Sequence, residues 1–371
     1  MFSYKHYVPI LKGKDGEFRA LIRLTSSARN NLTPFIDIPR RDLDLQTNKP
    51  KDPIDVYLKR KAQKIHKAWG THRQIFVDLF DLDLDLRIPS GTHFVEFLFS
   101  RLRNHDVRAI PVTGLDRDDD YNTAVEQIIS VDKRGVAIRL QREDIEAPPS
   151  TQVDIKDLLV DLKMREKDVH LVLDFRELHR NDLAQKVNDA MEFLINFADL
   201  KEWKTLTLSA SGFPEHMGEV QRHSLQLIPR TELGLWEQVL TKLKEKNLTR
   251  FPAFSDYGIC HPDMLDFNLA MNPSANIRYT ILRDWLIVKG AGLKKKTHGR
   301  TSYEYSQFFE LANTLRSNRN YCGREYSYGD LYIYNCKMGA EGPGNLPKWR
   351  EVGTNHHLTL VAEQIANSHV I

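Results

Sequence analysis

Cysteine is scarce in this chain. Cys260, Cys322 and Cys336 are the only three, and none sits in a CxxC pair. Their spacing writes neither a disulfide framework nor a closed structural zinc site, and an odd, sparse count suits a reducing cytoplasm. Long apolar runs are missing as well. No stretch approaches the about 20 residues a membrane span needs, and the opening MFSYKHYVPILKGKDGE lacks the apolar region of a secretory signal. The expectation is a cytoplasmic protein without membrane association. No GxGxxG follows a strand-like run and no P-loop GxxxxGKS or GxxxxGKT occurs, which removes the standard dinucleotide and Walker readings. Charge of one sign is also lacking. With 53 basic and 50 acidic residues the net charge is +3, so any basic patch is local.

What is present is a repeat of apolar segments. The chain has 371 residues, 41% hydrophobic and 28% charged, enough for a large core. Strand-like runs fall at Leu32–Ile38, Ile75–Leu79, Arg108–Val112, Gly135–Arg139, Val169–Leu173, Thr205–Ser209, Arg230–Trp236 and Pro252–Ser255. They recur at roughly thirty-residue spacing, most with a helical pattern between, which is the signature of a parallel sheet. Eight such units predict an α/β fold, a (β/α)8 TIM-like barrel over 1–275. An open doubly wound sheet is the alternative, because strand order is not written in sequence. Beyond it, 276–371 reads as a C-terminal α+β extension packed on the barrel. Ile277–Lys289 is expected as one or two strands, Lys289–Arg300 as a basic loop, Tyr305–Arg316 as a helix and Tyr326–Cys336 as a strand. Gly339–Trp349 reads as a Gly/Pro-rich loop, with His356 and His357 opening the last helix.

The stretch FPAFSDYGICHPDM, starting at Phe251, shows where chemistry would gather. An apolar run delivers Asp256, then Gly258 for a turn, then Cys260, His261 and Asp263. Earlier runs end on Asp37, Asp78, Arg139 and Asp174, with Arg40, Arg176 and Glu232 close by. In a barrel these residues face the C-terminal mouth, where active sites sit. Carboxylates there would hold magnesium or manganese, with Asp78, Asp174 and Asp256 as metal ligands and Asp37 beside them in the catalytic set. Arg40, Arg139 and Arg176 would hold phosphate oxygens. The metal would activate water for phosphodiester hydrolysis, with His261 as general acid or base. Lys294, Lys295, Lys296 and Arg300 would track a nucleic-acid backbone, with Tyr303 and Tyr305 for stacking.

Each of these has a structural counter-reading. Aspartate at a strand end also caps a helix or pairs with a neighbouring arginine. The alternation Asp81, Asp83, Asp85 with Leu82, Leu84, Leu86 resembles a calcium loop, but the loop's glycine and terminal glutamate are missing. It reads as a half-buried extended segment with a solvated acidic face. Ser209, Ser211 and Gly212 read as turn chemistry rather than an anion site. His356 and His357, about a hundred degrees apart on a helix, do not ligate one metal together.

Four segments carry a family resemblance: YVPILKGKDGE, LTPFIDIPR, FSDYGICHPD and WREVGTNHHLTLVAEQIA. Together they resemble the bacteriophage beta protein family over nearly the whole chain. The resemblance implies association with phages, prophages or bacterial mobile elements, and by extension a part in phage–host conflict or antiphage defence. It supplies no active-site assignment. The expectation is therefore a phage-related barrel protein with a phosphate-recognising, metal-dependent, nuclease-like site for nucleic acid or nucleotide. The alternative is a non-enzymatic interaction protein that senses or sequesters a phage or host protein through Tyr326, Tyr328, Tyr332 and Tyr334.

Overall fold

Alternation along the strands decides the architecture. A computed structural model of the chain describes residues 3–44, 46–263, 272–297 and 300–369, with the side chains of 296, 297, 300 and 301 outside the description. In chain order the first units are β1 (Ile10–Leu11), α1 (Asp15–Ile22), α2 (Ser26–Asn30), β2 (Phe35–Asp37), α3 (Ile54–Trp69), β3 (Gln74–Asp78), α4 (Phe94–Asn104) and β4 (Arg108–Thr113). There follow α5 (Asp119–Asp132), β5 (Val136–Leu140), α6 (Arg142–Ile145), α7 (Pro148–Asp161), β6 (Val169–Glu177), α8 (Leu183–Asn196) and β7 (Thr205–Ser211). Next come β8 (Ser224–Pro229), α9 (Thr231–Glu245) and β9 (Ala253–Ser255).

Strands β1 to β7 and β9 form one parallel sheet in that order. Its two edges meet. Val8 N–H donates to the Phe254 carbonyl at 2.9 Å and Ile10 N–H to the Asp256 carbonyl at 2.8 Å. The fold is therefore a TIM-like barrel, and the open doubly wound alternative falls. Side chains at every second position point inward. Phe35, Phe76, Ile110, Val112, Ala137 and Val172 fill the barrel. Their neighbours Ile36, Val77, Ile138, Leu171 and Leu208 point outward against the helices. Each large side chain so buried contributes about 1.5–3 kcal/mol.

The eight strands are not the eight expected. Thr231–Leu235 lies in helix α9, whose buried positions Leu235, Trp236, Val239, Leu240 and Leu243 follow helical spacing. The missing strand is β1, in the short run Tyr7–Leu11. The acidic segment after β3 is not extended either. It is a pair of turns, Leu82 N–H to the Leu79 carbonyl and Leu86 N–H to the Asp83 carbonyl, with Leu82 buried.

After β9 come β10 (Ser274–Thr280), β11 (Asp284–Gly292), β12 (Lys294–Thr297), β13 (Arg300–Tyr303), α10 (Gln307–Arg316), α11 (Tyr328–Met338) and α12 (Leu346–Ala366). β10, β11 and β8 make an antiparallel sheet, and β12 with β13 a hairpin where a basic loop was expected. Tyr326–Cys336 is largely helix rather than strand. Gly329, Tyr332, Ile333 and Cys336 bury one helical face, between a Ser327 cap and Gly339 in the left-handed region. Gly329 is required by close approach, since a Cβ there would stand 2.4 Å from the Val352 carbonyl oxygen. Ser327 Oγ accepts from Asp330 N–H at 3.2 Å and donates to its carboxylate at 2.6 Å. Ser327→Ala should therefore cost about 1 kcal/mol, read as a lower urea midpoint with unchanged slope.

Helix α12 starts at Leu346 behind an Asn345 cap, so His356 and His357 lie at its middle, not at its opening. Its last turns, with Leu358, Val361 and Ile365, join the same apolar cluster as α1 and the barrel strands.

Candidate functional site: a charge cluster at the barrel mouth

The period of two brings a polar layer to the C-terminal end of the barrel. Two residues beyond inward Phe35, Phe76, Ala137 and Val172 stand Asp37, Asp78, Arg139 and Asp174. Asp37 and Asp78 are register partners across β2 and β3. Arg139 lies between them, fully buried. Its Nη1 donates to Asp37 Oδ1 at 3.0 Å and to Asp78 Oδ2 at 2.9 Å. Its Nε and Nη2 donate to Asp174 Oδ2 at 2.9 and 2.7 Å. Nη2 also reaches the Tyr257 hydroxyl at 2.6 Å, which in turn donates to Asp174 Oδ2 at 2.5 Å. Lys12, just past β1, donates to Asp37 Oδ2 at 2.8 Å. Arg117 approaches Asp78 at 3.2 and 3.3 Å and pairs with Asp116. Three buried carboxylates thus face three buried cations.

Burial works against every charge here, and the pairing answers it. Asp37 loses hydration, yet Arg139 and Lys12 outweigh that and hold it below the usual carboxylate range. Asp78 is pushed up, by burial first and by Asp37 beside it, against the pull of Arg117 and Arg139. Arg139 is held charged well above its ordinary value, because Asp37, Tyr257 and Asp174 overcome its desolvation. The Tyr257 proton is retained by burial and by Asp174.

Asp256 does not join this layer. It belongs to a second buried network on the seam between β9 and β1. Tyr7 donates to Asp256 Oδ1 at 2.5 Å, and His357 Nε2 lies 3.1 Å from Oδ2 and 3.0 Å from the Tyr7 hydroxyl. Thr280 Oγ1 meets His357 Nδ1 at 2.8 Å, while His356 Nε2 donates to the Thr280 carbonyl at 2.8 Å. His356 Nδ1 is 2.8 Å from Asp330. The two histidines thus turn to different partners, as helical geometry requires. Gly258, at φ +64, turns its N–H back to Asp256 Oδ1 at 2.9 Å. Glu232 lies 3.4 Å from Arg230, and burial raises its carboxyl to about 7.

The other expected site residues scatter. His261 Nε2 stands 3.1 Å from Glu177 on the rim. Arg176 pairs with Asp263 and lies over the Phe80 ring. Arg40 is exposed and donates to the Asp81 carbonyl. Lys295 pairs with Glu304, and Lys294 N–H bonds Asn272. The side chains of Lys296 and Arg300 and all of His298 lie outside the described residues. Ser209 and Ser211 are occupied by Ser255 and by the Cys260 carbonyl. The three cysteines are free. Among the described residues no group of three His, Cys, Asp or Glu side chains is arranged to hold a metal ion.

Sequence reasoning missed Lys12, Arg117, Tyr7 and Arg230 as partners. Lys12 had a signal: if Tyr7–Leu11 is read as a strand, alternation from Val8 and Ile10 puts Lys12 in the layer of Asp37. Arg117 had none, since it comes from a loop.

A closed parallel barrel with helices outside and a neutralised charge layer at its C-terminal end defines a (β/α)8-type protein. The chain belongs to the Beta protein family, whose model matches residues 7–363. No curated protein matches the sequence. Among the described residues no helix is long and apolar enough to cross a membrane.

Proposed function

We propose that the chain is a phage-associated binding protein that engages a phage or host macromolecule in phage–host conflict, its barrel serving as a rigid scaffold. Membership of the Beta protein family suggests the phage association. One observation carries the rest. Asp37, Asp78 and Asp174, the oxygen donors a magnesium or manganese site would need, are already spent on Arg139, Lys12 and Arg117. A divalent ion seated there would displace a fully buried guanidinium and strand it without partners, at a cost of several kcal/mol. Metal-assisted hydrolysis also needs an open position for water beside the ion. This donor set does not fit the group.

The test is direct. The full chain should hydrolyse neither nucleotides nor oligonucleotides with magnesium or manganese, and neither metal should raise its melting temperature. Metal-dependent turnover abolished by Asp78→Asn would overturn the reading. A stoichiometric complex rebuilt from purified chain and one phage or host protein would support it.

A second reading keeps a phosphate or nucleotide site at the mouth, without metal. One feature favours it. Arg176 holds φ at +55 and leaves Nη1 buried with no hydrogen-bond partner. It lines a 220 Å³ pocket with Arg142 and Lys186, which pair with Glu146 and Asp189, and with the acids Glu143, Glu177, Asp182 and Asp263. Arg176→Ala should then abolish any phosphate-dependent rise in melting temperature.

A further inference from the structure

A larger cleft of about 840 Å³ is lined by none of the charge-layer residues. Its walls are the loop after β7, the face of β10 and β11, and the first turns of α12. Two cations sit in its wall. Lys289 is 5% exposed; its ammonium donates to the Met217 carbonyl and, at 2.6 Å, to the Val220 carbonyl. Of its three protons, one remains. Arg278 donates through Nη1 to the Ile259 carbonyl at 2.7 Å and through Nε to Asn276 at 3.2 Å, and lies over the Phe213 ring. Its Nη2 group has no partner among the described residues.

Neither cation has a carboxylate partner among the described residues. That sets them apart from Arg139, Lys12 and Arg117. Buried charges are ordinarily paired, because an unpaired one forfeits hydration with nothing in return. Here the cost is visible: burial lowers Arg278 to about 10 and lowers Lys289 as well. Arg222 and Arg350 also line the cleft, and Glu215, the one acid among the described lining residues, stands 3.6 Å from His216. The volume is that of a small-molecule site rather than a single-ion site. The apolar part of the wall includes Trp349, packed on Phe308.

We propose that this cleft binds a small phosphorylated ligand, with the phosphate held between Arg278 and Lys289 and the remainder lying toward Trp349. Arg278 Nη2 offers its two N–H groups to phosphate oxygens and the ammonium offers its third proton. The site does not depend on the barrel mouth being inert, and its residues are not those of Arg176's pocket.

The experiment is calorimetry and thermal shift on the full chain with inorganic phosphate, adenosine mono- and diphosphate, ribose 5-phosphate and a single-stranded oligonucleotide, at matched ionic strength. The expected result is saturable binding of the phosphorylated small molecules. Arg278→Gln and Lys289→Gln should each weaken it at least tenfold. Should those variants fail to fold, amide exchange on the unaltered chain decides. Protection by the bound ligand at 215–222 and 346–350 supports the cleft; protection at 142 and 176–186 assigns the ligand to the mouth and overturns it. Binding unaltered in both variants, binding of oligonucleotide alone, or no saturable binding by any probe also overturns it.

Discussion

Arg139→Met should fail to hold the native state at room temperature, or melt far below the unaltered chain. Removing one partner of a buried ion pair costs about 3–5 kcal/mol, because the other charge stays buried and unpaired. Here one guanidinium serves Asp37, Asp78 and Asp174 together, each fully buried. Against a typical total of about 5–15 kcal/mol, that is a large share of the stability. Arg139→Lys should rescue little. One ammonium cannot give Nε and Nη2 to Asp174 while reaching Asp37 and Asp78 on the far side. Chemical denaturation of both variants checks this. A methionine variant within about 1 kcal/mol of the parent would show that the carboxylates release their charge at little cost, by taking up protons.

Acidification should destabilise the chain steeply from just below neutrality. Burial lowers His170 to about 3, and His6 and His93 to about 4. It lowers His357 too, against the pull of Asp256. Each of these rings takes up a proton near pH 6.5 when unfolded but resists it when folded. Their contributions are whole above that pH and drain away as pH falls towards the folded values. Glu232 runs the other way. Raised to about 7, it binds its proton more readily when folded, so its contribution is present at low pH and lost as pH rises through 7. Asp78, also raised, acts in the same direction as Glu232. His170, His6 and His93 against Glu232 leave a net of about two protons, a slope of up to about 3 kcal/mol per pH unit between about pH 6 and 5, while His357 and Asp78 act in opposite directions. Melting temperature measured from pH 7.5 to 5 checks the sign. His170→Gln, if folded, should flatten the slope by one proton.

Much of the barrel could be read from the chain, and the exceptions have physical causes. Seven strands announced themselves as apolar runs. β1 did not, because only Ile10 and Leu11 enter the ladder and Pro9 precedes them. Thr231–Leu235 carries a β-branched residue, leucines and glycine, and only the continuation to Leu243 shows the helical face. Tyr328, Tyr332 and Tyr334 satisfy a period of two, while Gly329, Tyr332 and Cys336 satisfy the helical one; the Ser327 cap decides between them. Tyr332 is consequently buried, and Tyr334 sits between Arg316 and Arg324 rather than on a free aromatic face. The strand-end residues Asp37, Asp78, Arg139 and Asp174 were legible as a group. What they bind was not. Pairing depends on the partners that loops bring in, and Arg117 leaves no periodic trace.

The seam between β1 and β9 has a consequence for how the molecule is made. Tyr7 comes from the start of the chain, Asp256 from the last barrel strand and His357 from the middle of α12. During synthesis the first strand therefore waits for residues near 360 before its neighbourhood is complete. A ribosome that stops at Tyr303 releases a barrel whose seam lacks His357 and the apolar turns of α12. Such a fragment would keep the backbone bonds that close the barrel, yet expose the apolar surface that α12 covers, and would associate with its copies through it.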